Sequence, residues 1–199
     1  MGADITALIV DWAELESIPV LERTRALFEA ADPDDYDGAL EEGWAWLPPA
    51  STSFPSWCAR YEFGGTLGSF KPHFRAGERW ETIREHASDD LRAALDTFLA
   101  GLFWVPPCTD SDPEDEGGAE PWYGTMRAYC PPPDMPVLAQ AWNAVGPQLE
   151  ALRGPFDVHA AAPGAWIGRF EEFTTLLHGW AEVVEEAHRR GWGLIGLPI

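Results

Sequence analysis

Two rhythms of apolar and polar positions run along this chain. Residues 5–10, ITALIV, form an almost unbroken apolar run that reads as a buried strand, and Asp11 ends it. Residues 20–30 follow Pro19 and bring Leu21, Ala26 and Leu27 near one helical face, and a short helix is expected over 39–46. Residues 57–63 and 69–75 alternate with a period of two around the glycine-rich FGGTLGS, which predicts a central hairpin over about 57–75. GERWETIREHA (77–87) reads as helix. Ser88 followed by Asp89 and Asp90 marks a helix start, and Leu91, Ala94, Leu95, Phe98, Leu99 and Leu102 repeat at helical spacing behind it. Residues 122–130 suggest another strand. A helix from about 135 to 152 carries Leu138, Ala141, Trp142, Val145, Leu149 and Leu152. A last helix over 164–190 buries Trp166, Phe170, Phe173, Leu177, Trp180 and Val184. Arg189-Arg190-Gly191 supplies its C-terminus, and WGLIGLPI closes the chain as a strand. The reading is a single α+β domain over residues 1–199, with a small mixed or antiparallel sheet, the hairpin at its centre, several amphipathic helices and a C-terminal strand.

Charge narrows the function. Thirteen basic residues against thirty-three acidic ones leave a formal charge of −20. Such a charge repels nucleic-acid backbones and anionic membrane surfaces and favours a basic partner. The acids gather in turns, notably 32–42 and a mobile loop expected over 105–121 with six of them. Three cysteines without a CxxC spacing fit a reducing cytoplasm, and the Ala-, Gly- and Arg-rich composition suggests a bacterial source.

The scarce cations set up the candidate site. Arg60, Lys71, Arg75, Arg79 and Arg84 lie within 25 residues, and Lys71 is the only lysine. On the expected hairpin, Trp57, Tyr61, Phe63, Phe70 and Phe74 share one face, and Arg60, Glu62, Lys71, His73 and Arg75 share the other. Such a face suits an anionic ligand: Arg60, Lys71 and Arg75 as contacts, His73 as proton-transfer group, Glu62 as the carboxylate that orients it, and Trp57, Trp80 and Trp104 as walls. The same pattern also describes a hairpin face that simply meets water. FGGTLGS lacks the GK[ST] of a phosphate loop, and Glu185-x-x-His188 lacks a second such pair, so no cofactor or metal is expected. Eleven tryptophans fit a core, an aromatic pocket or an interface.

Both ends of the chain resemble the YfbM-like family of uncharacterised bacterial proteins. At the start the likeness is Met1-Gly2 followed by a strand and an early helix. At the end it is FEEFTTLLHGWAEVVEEAHRRGWGLIGL, where Ala187-x-x-x-Gly191 leads from the last helix into an apolar strand. The resemblance implies an α/β single domain and no particular activity. Two functions are therefore expected. The first is a non-catalytic acidic binding protein, immunity- or antitoxin-like, that recognises a basic protein. The second is a small cytoplasmic enzyme or ligand-binding protein with its anion-accepting pocket at the hairpin.

Overall fold

The computed structural model describes residues 4–33, 43–48, 54–66, 69–104 and 121–198. The expected acidic loop therefore lies outside the described residues, apart from Pro121. Five strands form one antiparallel sheet in the order β2-β3-β1-β5-β4: β1 (Ile5–Val10), β2 (Gly43–Trp46), β3 (Cys58–Glu62), β4 (Ala128–Cys130) and β5 (Gly193–Pro198). The two terminal runs pair directly, with Ile5 opposite Pro198 and Val10 opposite Gly193. The fold is α+β, as the two rhythms predict.

The sheet is covered on both sides, which explains why β1 is apolar except for Thr6 and buried along its whole length. Side chains alternate between the faces. Ile5, Ala7, Ile9, Ala59, Tyr61, Cys130 and Leu194 enter the larger core, beneath α3 (Lys71–Ile83), α4 (Asp89–Ala100), α5 (Met135–Val145) and α7 (Phe170–Arg190). Leu8, Val10, Cys58, Ile195 and Leu197 enter a smaller core with Leu15 of α1 (Trp12–Ser17) and Leu27, Ala30 and Ala31 of α2 (Arg23–Ala31). Between α5 and α7 the chain runs through 3₁₀ turns, the single turn α6 (Arg153–Pro155) and a wide turn over Phe156–Ala160.

The start and stop signals are where the sequence puts them. The Ser88 side chain accepts from the Leu91 N–H at the head of α4. Gly191 ends α7 in the left-handed region, at φ 69°. Three elements are shorter than expected: α7 starts at Phe170 and leaves Trp166 outside it, β4 keeps only Ala128–Cys130, and the helix from 135 turns 3₁₀ after Val145. Two more differ in kind. Residues 43–46 form an edge strand whose register slips between Trp44 and Trp46, and this slip breaks the period-2 pattern that would have marked it. The hairpin does not form either. Its first arm is β3, but its second arm opens α3, with Pro72 in the first turn, where its missing N–H costs nothing.

Among the described residues no helix is long and apolar enough to cross a membrane.

Candidate functional site

The change from strand to helix at Lys71 dissolves the expected site. In α3 the buried positions are Pro72, His73, Ala76, Gly77, Trp80 and Ile83, a helical stripe facing the larger core. His73 is 0% exposed, whereas Phe74, expected in the core, is 52% exposed. Lys71 is exposed and points away from His73, two helical positions on. The His73 ring sits among Phe63, Phe70, Phe103 and Trp180 at centroid distances of 4.9, 6.1, 5.6 and 5.7 Å. Neither ring nitrogen has a hydrogen-bond partner, and burial pushes its pKa down to about 3. A neutral imidazole without solvent access moves no proton to a ligand.

The alternation within β3 itself holds: Ala59 and Tyr61 face one core, Arg60 and Glu62 the other. The polar face does not meet water, because α2 covers it. Arg60 Nε donates to Glu62 Oε1 at 2.5 Å, and its Nη1 donates to the Ala31 carbonyl of α2 at 2.5 Å. Thr6, opposite on β1, donates to Glu62 Oε1 at 3.2 Å, and Thr66 donates to Asp4 beside it. Burial holds the Glu62 carboxyl above its ordinary range even with Arg60 alongside. These groups tie β1, β3 and α2 together, on the opposite side of the sheet from His73. The three walls are structural as well. Trp57 is half-buried against the smaller core. Trp80 is fully buried and donates to Asp96 at 2.8 Å, and Trp104 is buried and donates to Glu81 at 3.0 Å.

Of the expected contacts, only Arg75 lines a cleft. It does so with Arg79 of the same cation cluster and with residues around the head of α7 that the sequence did not group with them. The cleft, about 890 Å³, lies between the N-terminal halves of α3 and α7. Arg75 and Arg79, one turn apart on α3, face Arg169 at the head of α7, with Trp166, Pro72 and Leu176 as apolar wall. Arg75 pairs with Glu78 at 2.5 Å and Arg169 with Glu172 at 2.8 Å. Burial acts to raise the Glu172 pKa. Hydrogen bonds from Arg169 and from the Gly168 and Arg169 backbone N–H outweigh it and hold the carboxyl below its usual range. Arg79 is half-buried. Its Nε donates to the Ile167 carbonyl at 3.1 Å, and it joins none of the ion pairs among the described residues. Ile167 has φ 52°, which for a β-branched residue is a strained conformation of the kind found at binding sites.

A second feature lies across the sheet. Leu21, expected to share a helical face with Ala26 and Leu27, precedes α2 and is 93% exposed, with Val20 and Phe28 also exposed. α1, α2 and the residues flanking α2 carry exposed Glu14, Glu16, Glu22, Glu29 and Asp32. Arg25 reaches Glu22 and Glu29 only at 3.6 and 3.7 Å, and Arg23 lies over Trp122 with its Nε on the Ile18 carbonyl.

No family model, curated protein or solved structure matches the chain.

Proposed function

We propose that this is a non-catalytic binding protein that recognises a basic protein through the outer surface of α1 and α2. The observation that carries the reading is Leu21, a large apolar side chain 93% exposed beside helices that carry five exposed acids. An isolated exposed leucine is ordinary. Here Val20 and Phe28 are exposed on the same segment, and the exposed acids of α1, α2 and the residues flanking α2 outnumber the arginines Arg23 and Arg25. Exposed apolar side chains accompanied by charges are what a protein interface presents, and the acidic sign here selects a cationic partner. The burial of His73 and of the Arg60–Glu62 pair supports the reading from the other side, by removing the groups that the enzymatic alternative relied on. The likeness of the chain ends to the YfbM-like family carries no residue roles and adds nothing to it.

The test uses the wild type and Leu21→Lys as baits in a lysate of the protein's own cell. The wild type should retain a basic protein at low salt. Leu21→Lys should fold normally, since its side chain is in solvent, and should bind that protein more weakly by about 2 kcal/mol, roughly thirtyfold in Kd. Equal binding by the two baits in calorimetry would remove this surface from the account.

A further inference from the structure

We propose that the cleft between α3 and α7 is a binding site for a small organic monocarboxylate with a flat apolar body, whose carboxylate is held by Arg79. The site lies on the far side of the sheet from the α1–α2 surface and is independent of it.

Charge gives the first part of the argument. In a chain of net charge −20, three arginines converge on one cleft. Two of them already have carboxylates, Arg75 from Glu78 and Arg169 from Glu172. The acids of the cleft are occupied too: Glu172 accepts from Arg169 and two backbone N–H groups, and Glu171 accepts from Arg153 at 2.6 Å. Of the three cleft arginines, Arg79 is the one without a carboxylate partner among the described residues. One uncompensated guanidinium matches one negative charge. A dianionic phosphate would leave excess charge beside Glu171 and Glu172.

Shape gives the second part. The bond from Arg79 Nε to the Ile167 carbonyl fixes the plane of the guanidinium. Its two Nη groups then form a planar fork that meets the two oxygens of a carboxylate side by side. Trp166, Pro72 and Leu176 line the same cleft and supply apolar surface for the rest of the molecule, and Trp166 is flat. The strained Ile167 is held at the rim by the residue that would hold the ligand, so the loop before α7 is braced around the charge.

The experiment compares three probes with one ring system by calorimetry: 2-naphthoate, the neutral 2-naphthamide and the dianionic 2-naphthyl phosphate. The wild type should bind naphthoate at millimolar concentration or below, and the amide and the phosphate each roughly tenfold or more weakly. Arg79→Gln should weaken naphthoate by roughly tenfold while leaving the amide unchanged. Because Arg79 also braces Ile167, Thr175→Glu serves as a second variant. It alters only an exposed residue of the cleft wall and places an added carboxylate there, and it too should weaken naphthoate selectively. The proposal is overturned if naphthoate does not bind, if the amide binds as tightly, if neither variant discriminates between the two, or if the phosphate binds more tightly than the carboxylate.

Discussion

Between pH 7 and pH 5 the wild-type protein should lose about 2 kcal/mol of stability that a His73→Phe variant keeps. His73 is fully buried, with its pKa pushed down to about 3 by desolvation. In the unfolded chain the same imidazole titrates near 6.5. Below that value the unfolded state takes up a proton that the folded state refuses, so the contribution is fully present above about pH 6.5 and is lost as pH falls towards 3. The whole window is worth about 4–5 kcal/mol. Glu171, Glu172 and Glu186 have lowered pKa values, so their contributions fade only as pH falls below the usual carboxylate range near 4.5. Glu62, with a raised value, runs the other way, because acidification through its window favours the folded state. The difference between the two urea-melt series at each pH isolates His73. Phenylalanine suits a site already walled by Phe63, Phe70, Phe103 and Trp180, and it has no polar atoms to leave unpaired, so the variant should be at least as stable as the wild type at pH 7. Parallel curves for the two proteins would show that His73 is solvated, as a proton-transfer role requires.

Glu62→Gln should cost about 3–5 kcal/mol at pH 7. It removes the carboxylate from Arg60, whose guanidinium is buried and remains charged at any working pH. The reverse deletion should be milder, because the Glu62 carboxyl, already pushed upward by burial, can take a proton once Arg60 is gone. Replacing both partners, as Arg60→Met with Glu62→Leu, should recover most of the loss, since paired buried charges cost nearly as much to desolvate as they return. Chemical denaturation of the three variants measures this asymmetry. A loss below about 1 kcal/mol for Glu62→Gln would mean that the Arg60 guanidinium stays compensated without this carboxylate, and the pair would then not be what ties β3 to its neighbours.

The sequence identifies those parts of the fold that rest on local signals. The apolar runs 5–10 and 193–198 are strands, Ser88 opens α4, and Gly191 closes α7, because each depends on its own residues or on a cap a few positions away. The 69–75 segment fails because Phe70, Pro72 and Phe74 happen to alternate, while the true helical stripe of Pro72, His73, Ala76, Gly77 and Trp80 includes a histidine and a glycine that do not read as core. For β3 the alternation is right and its meaning wrong. Period two separates two faces of a strand, but it does not say whether the polar face meets water or a helix, and α2 lies over this one. The cleft is non-local. Arg79 and Arg169 stand ninety positions apart, and only the packing of α3 against the loop before α7 brings them together. The spacing of Arg75 and Arg79, one helical turn, is a usable signal once 71–83 is seen as helix.

The most direct test of the proposed recognition surface is the association rate of the protein with a basic protein retained by the wild-type bait, followed by stopped flow as salt is raised. Acidic steering predicts that the on-rate falls at least about tenfold from low to high ionic strength while the off-rate changes little. A variant with Glu14, Glu16, Glu22 and Glu29 all changed to Gln should start near the high-salt rate and lose most of the dependence. An on-rate indifferent to salt, or a neutralised variant that associates as fast as the wild type, would contradict the account.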